Sequence, residues 1–413
     1  MLGRMSVRIL LFLLAATFAL PAAALDQAAV EHTFEAWIDA TVWPEAKAAK
    51  VSRATFDRAF AGVTLDWQMP DLQPPGIPVS PPAAEWQSEF GSPGDYFDEG
   101  RLSALAAAGR GRLAQWQKTL AAIAKTYGVP PGIIVAIWAK ESGYGAASLP
   151  KPAIRALATE AFMGRRADFF RGELVAALVI LEHGDVTLAD MRSSLAGALG
   201  QPQFMPSFFL RYAVDFDGDG RRDIWNSVPD TLASIAHFLQ GQGWVRGRGW
   251  GVEAKVPSSV ACSLDGPDQG KPLAEWTHLG IVRADGTPIP GDPADTFFLL
   301  MPEGRFGPAF LVTPNFYVLK QYNNSDLYAL YVGTLADRFA DDRPFRNGWR
   351  DVGSLTRGSV KAMQDALVAA GYDVGGNDGF VGYKTRIAIG LWQAKHGMAP
   401  TCWPDAALVR VLH

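Results

Sequence analysis

Stretches with a helical apolar period alternate along this chain with stretches that have none. Phe34, Trp37, Ile38 and Val42 recur as one helical face and Phe56, Ala59 and Phe60 as another, so 27–66 is expected to be helical. A run with Pro70, Pro74, Pro75, Pro78, Pro81 and Pro82 follows; it cannot be helix interior and predicts an extended strap across the surface. From 100 to 245 the helical period dominates. Leu113, Trp116, Leu120, Ile123 and Ala124 mark one amphipathic helix, and Gly128-Val129-Pro130-Pro131 ends it and starts the next, proline suiting a first helical turn. Helices are also expected at 154–163, 172–183 and 230–240, with Asp230 capping the last.

Between 252 and 313 glycine and proline become frequent, and runs such as Phe297–Met301 and Phe310–Val312 predict strands in a small β-rich insertion. A helical pattern returns at 314–339, and the polar stretch 341–353, with Asp341, Asp342, Arg343, Pro344 and Gly348, reads as a linker. Beyond it Val360, Met363, Leu367 and Ala370 form a helical face ending at Gly371. Asp378–Gly382 is a turn, and Thr385 is expected to cap a helix through Ile389 and Trp392 to near Gly397. The fold class is therefore mainly α, with a small β-rich insertion and a small C-terminal three-helix module over 354–413.

Residues 1–24 carry Arg4 and Arg8, an apolar run from Ile9 to Leu20 and the small residues Pro21-Ala22-Ala23-Ala24, the layout of a secretory signal. That run is short for a membrane span, and no Cys stands there to take a lipid. The processed chain is thus expected to be exported, to keep no stable membrane span and not to be a lipoprotein. Its 413 residues, 19% charged and 48% apolar, suit a globular protein of two or three domains. Losing Arg4 and Arg8 takes the formal charge from −4 to about −6, which argues against nucleic acid as partner. The two cysteines, Cys262 and Cys402, lie far apart; an oxidising compartment permits a bridge and leaves two free thiols equally open. The six histidines show no ligand spacing, so no zinc site is expected.

Three segments carry candidate chemistry. Glu141 closes the apolar run Ile133–Ala139 and precedes Gly143-Tyr144-Gly145. Apolar surroundings disfavour a charged carboxylate and raise its pKa, which suits a general acid. The segment alone is equally compatible with a half-exposed Glu at a helix end. The second segment is Gly197-Ala198-Leu199-Gly200-Gln201-Pro202-Gln203-Phe204-Met205-Pro206-Ser207, whose amide and hydroxyl groups could bind a polar ligand over an apolar floor of Phe204 and Met205. The third, Asp215-Phe216-Asp217-Gly218-Asp219-Gly220-Arg221-Arg222-Asp223, has carboxylates at alternating positions and Gly at the sixth, matching the start of a calcium loop. Asn226 stands where the bidentate Glu is usual, and Asp230 is placed to complete the shell. One structural Ca2+, held by Asp215, Asp217, Asp219, Arg221 and Asp230, is the expectation; no organic cofactor is.

These segments in this order, with Arg165-Arg166 and Tyr322-Asn323-Asn324-Ser325, resemble the lytic murein transglycosylases of the soluble-lytic B type, glycoside hydrolase family 103, over roughly 27–340. Leu355, Val360, Gln364, Leu367, Gly371-Tyr372, Asp378-Gly379, Gly382, Thr385 and Trp392-Gln393 resemble a type 1 peptidoglycan-binding domain, with Thr401-Cys402-Trp403-Pro404 replacing the usual second Asp-Gly turn. The resemblance implies a lysozyme-like catalytic core over 25–340, with Glu141 as the single catalytic acid/base. It places Ser142, Gln203, Phe204, Ser207, Tyr322, Asn323 and Tyr328 around a sugar cleft and Arg165 and Arg166 near the stem peptide, whose carboxylates an Arg fork can bind. Phe208 stands where the family often has a second Ser. Glu160 and Glu173 are expected to be surface or structural. The implied partners are peptidoglycan glycan strands and stem peptides, met by a monomer in the periplasm. The implied reaction cuts the β-1,4 bond between MurNAc and GlcNAc and leaves 1,6-anhydroMurNAc. A lysozyme-like hydrolase and a non-catalytic wall-binding scaffold are the alternatives.

Overall fold

Short polar side chains set where many of the helices begin, by accepting from amides that have no partner in the first turn. The computed structural model describes residues 26–70, 72–75, 93–353 and 355–412; the expected signal and most of the proline-rich strap lie outside them. Asp26 caps α1 (Gln27–Trp37). Phe34, Ile38 and Val42 are all buried at a spacing of four, wider than the α period, and a π-helical turn at Ile38–Val42 accommodates it before α2 (Trp43–Ala48). Ser52 caps α3 (Arg53–Phe60) and Asp98 caps α4 (Glu99–Gln115). The helix expected across 113–124 is two helices: Trp116 leaves the helical region (φ −104°, ψ 19°) between α4 and α5 (Gln117–Tyr127).

Pro130-Pro131 opens α6 (Pro131–Ser142), whose residues Ile133 to Ala139 are all buried. A helix that is apolar all round must be enclosed, and α4, α5, α10 (Val228–Gly241) and α13 (Asp326–Arg338) surround it. Each fully buried Ile or Val there contributes about 1.5–3 kcal/mol. Around this centre pack α7 (Ala153–Met163), α8 (Ala167–His183) and α9 (Pro206–Tyr212). Strands β1 (Lys151–Pro152) and β2 (Arg192–Ser193) pair antiparallel beside α7. The cap of α10 is Ser227, not Asp230: Ser227 lies outside the first turn and accepts from Asp230 N, whereas Asp230 is already inside it and fully buried.

The insertion is an antiparallel sheet of β3 (Gly251–Lys255), β4 (Lys271–Pro272), β5 (Val282–Arg283), β6 (Thr296–Leu300) and β7 (Ala309–Val312), ordered β4-β6-β7-β3-β5. Leu299 faces Leu311 across β6 and β7, and these side chains share a core with Trp276 of α11 (Leu273–His278). The helical stretch expected at 314–339 is split into α12 (Pro314–Leu319) and α13, and the turn between them carries Tyr322 and Asn323.

Residues 341–353 do not swing free. Phe345 and Trp349 pack against Phe97, and Glu253 accepts from the amides of Arg346 and Asn347. The C-terminal module is α14 (Arg357–Ala369), α15 (Tyr383–Lys395) and α16 (Ala406–Leu412) around Val360, Met363, Leu367, Ile389 and Leu408; Ala370 is exposed. Thr385 is not the cap of α15, because the helix starts two residues earlier after Gly382; its buried hydroxyl donates to Val374 O and accepts from Gln364. Cys262 and Cys402 form a disulfide that ties this module to the insertion. Among the described residues no single helix is long and apolar enough to cross a membrane.

Candidate active site

Glu141 sits in the last turn of α6, which Gly143 closes in the left-handed region at φ +57°. Glu141 as a residue is half-buried, and Tyr328 of α13 donates to its Oε1 at 2.5 Å. Burial pushes the carboxyl up to about 7, against the opposing pull of the Tyr328 hydroxyl and the nearby Lys140. Tyr328 is itself buried, and its ring stacks on Tyr322 at 6.3 Å. Burial and then the Glu141 charge hold both phenols well above their ordinary range, so they act here as fixed donors.

The second segment folds as a tight hairpin: Leu199 and Phe204 exchange both backbone hydrogen bonds, and Gln203 takes φ +54° at its tip. Three bonds lash the tip to the core. Trp138 Nε1 donates to Gln201 Oε1 at 2.8 Å, Gln201 Nε2 to Trp225 O at 2.9 Å, and Tyr322 Oη to Pro202 O at 2.7 Å. Gly145 must be glycine at this contact: at φ +82° a Cβ would lie 2.5 Å from Gln201 Oε1. Between the turn after α6 and the hairpin lies a cavity of about 280 Å³, lined by Ser142, Gly145, Asp190, Arg192, Gln201 and Asn226 among others.

The expected site residues divide into those this cleft gathers and those it does not. Ser142 lines it, but its hydroxyl is held inside the turn, donating to Trp138 O and accepting from Gly145 N. Gln203 Nε2 donates to Gly200 O, and buried Phe204 packs on Tyr322 and Phe238. Ser207 faces Glu173: its hydroxyl and amide both bond the Glu173 carboxylate at 2.7 and 2.8 Å. Glu173, a buried acid of α8, thereby sets its carboxylate against the first turn of α9. Phe208 packs on Tyr212 and Phe238. Asn323 is exposed in the turn between α12 and α13. Arg165 and Arg166 are exposed at the start of α8, Arg166 stacked over Phe169 and Phe170. Gln201, Asp190 and Arg192 were missed; only Gln201 lay in a segment singled out, and an amide carries no titration signal.

Carboxylate oxygens of Asp215, Asp217 and Asp230 come within 4.8 Å of one another. Asp230 is buried beneath the loop and accepts from the amides of Phe216, Asp217 and Asp223, which hold the loop in shape. Asp219 lies outside that trio, its carboxylate paired with the Arg221 side chain at 3.1 Å. Three converging carboxylates repel one another, and hard oxygen donors of this kind suit Ca2+.

Residues 33–337 match the Transglycosylase SLT domain family, and residues 356–412 match a peptidoglycan binding domain family. The chain is 34% identical over 232 residues to membrane-bound lytic murein transglycosylase B of Escherichia coli K12, a match spanning 55% of this chain and 61% of the relative's length. SltB3 of Pseudomonas aeruginosa, solved with NAG-anhNAM-pentapeptide, is 40% identical, with a TM-score of 0.80 over 92% of this chain and 99% of that one. Escherichia coli lytic transglycosylase Slt35, solved with calcium, is 29% identical, with a TM-score of 0.52 over 61% of this chain and 80% of that one.

Proposed function

The chain belongs to the SLT-domain lytic transglycosylases, lyases acting on peptidoglycan, and on that premise we propose that Glu141 supplies both proton transfers of its reaction. The protonated carboxyl gives its proton to the oxygen joining MurNAc to GlcNAc, and the bond to MurNAc C1 breaks as the acetamido carbonyl oxygen closes onto C1. Glu141, now a carboxylate steadied by Tyr328, takes the proton of the C6 hydroxyl as that oxygen displaces the acetamido oxygen at C1. The product is 1,6-anhydroMurNAc, and no water is consumed. Holding the C6 hydroxyl close makes the closure intramolecular, which supplies much of the rate. The hairpin tip fixed by Trp138, Trp225 and Tyr322 gives the cleft a rigid wall for this.

The observation that carries the reading is a carboxyl held near 7 by burial and donated to by a buried phenol, one residue before Ser142, which lines the cavity. Glu141→Gln tests it on sacculi: turnover is lost while the variant still sediments with them. Turnover at the unmodified rate would overturn the assignment.

Further roles belong to the same reading. Arg165 and Arg166 meet stem-peptide carboxylates, the 354–413 module holds glycan, and the chain works as a monomer in the periplasm after removal of 1–24. Asp215, Asp217 and Asp230 hold one Ca2+, with the Arg221 backbone carbonyl as a further ligand. That ion would brace the loop leading to Trp225 and Asn226 on the cleft; the chemistry stays with Glu141.

A further inference from the structure

We propose that Arg386, a side chain of the C-terminal module, is a positioning residue for the general acid, acting through the first turn of α13. This rests on the assignment of Glu141.

Arg386 is 3% exposed on α15. Its Nε donates to Asp265 of the insertion at 2.6 Å, and its Nη2 reaches Asp326 at 3.3 Å. Asp326 is the first residue of α13, and Lys320 holds its other oxygen at 2.7 Å. Two residues further on stands Tyr328, whose hydroxyl holds Glu141. One guanidinium from the module therefore joins the insertion to the helix start that aims the phenol at the acid. Asp265 is fully buried, and its second oxygen accepts from Met301 N.

Docking alone does not explain this cluster. Burying ions costs more than burying apolar groups of similar size, and a well-packed apolar patch would dock the module as firmly. The disulfide between Cys262 and Cys402 already staples the two parts. What the ions add is direction: a guanidinium fork fixes two carboxylates at set angles, which an ammonium cannot do. A reacting group needs such fixing, since displacement by about 1 Å can cost two orders of magnitude in rate.

Full-chain Arg386→Lys tests this by kinetics on a soluble glycan fragment across a pH series. The titratable groups facing Glu141 are Tyr328, Tyr322 and Lys140; those facing the cluster are Lys320, Asp265, Tyr317 and Asp268. The expected result is a kcat lower by about tenfold, KM nearly unchanged, and the alkaline limb of kcat/KM moved to higher pH, as a loosened Tyr328 stops opposing the burial of Glu141. A folded variant with unaltered kcat and limb overturns the proposal. If Arg386→Lys does not fold, Asp326→Asn carries the same test, because it leaves the Arg386–Asp265 pair and weakens the hold of Arg386 and Lys320 on the start of α13. An active Glu141→Gln defeats the underlying assignment; an inactive Glu141→Gln beside a normal Arg386→Lys defeats this inference alone.

Discussion

At Glu141, burial and one phenol pull in opposite directions. Burial raises the carboxyl to about 7, and the Tyr328 hydroxyl, which favours the charged form, limits the rise. On the role proposed for Glu141 the acid must hold its proton to begin the reaction, so kcat/KM is expected to be high below about pH 7 and to fall as the pH climbs through that value. Tyr328→Phe removes a force that lowers the pKa. Its alkaline limb shifts upward while kcat drops, because a weaker acid gives up its first proton less readily and the carboxylate it leaves has lost its donor. A profile of kcat/KM against pH for both proteins checks this, and an unmoved limb would contradict the role given to Tyr328. The enclosed helix that carries Glu141 was legible in the sequence, because Ile133 to Ala139 form an unbroken apolar run. Gln201 was not: its two partners, Trp138 and Trp225, lie 63 and 24 residues away, and nothing local marks an amide as a brace.

At the scale of elements, period and caps were readable and tertiary demands were not. The strands at 297–301 and 310–312 and the helix of Val360, Met363 and Leu367 followed from local pattern. Asp230 was misread as a cap because an acid near a helix start usually is one; here Ser227 takes that place and Asp230 goes under the acidic loop. The misreading concerns position alone, since Asp230 joins Asp215 and Asp217 as expected. If those three bind Ca2+, calcium stabilises the folded chain by mass action, by about 2.7 kcal/mol at a hundredfold excess over Kd. A melting curve with calcium against chelator should show a rise in Tm, and Asp217→Asn should shrink it. Equal melting temperatures for the unaltered chain under both conditions would remove calcium from the account.

Across the whole molecule, the sequence could count two cysteines and could not pair them, since the bridge joins residues 140 apart. Nor could it tell a tether from a strap: 341–353 reads as a polar linker, yet Phe345 and Trp349 anchor it on Phe97. The C-terminal module is thus fixed on the insertion by a covalent bond and a buried ion cluster. Closing a loop of 140 residues constrains the unfolded chain by about 5 kcal/mol. The double change Cys262→Ser with Cys402→Ser should lower stability by that order in a denaturant titration; an unchanged midpoint would mean that the bridge does not form. The chemistry of the glycan ends tests the central claim most directly. Sacculi digested by the purified chain and weighed by mass spectrometry should yield muropeptides ending in 1,6-anhydroMurNAc, each one water lighter than its hydrolysed counterpart. Reducing MurNAc ends in their place would contradict the account, because water and not the C6 hydroxyl would then have reached C1.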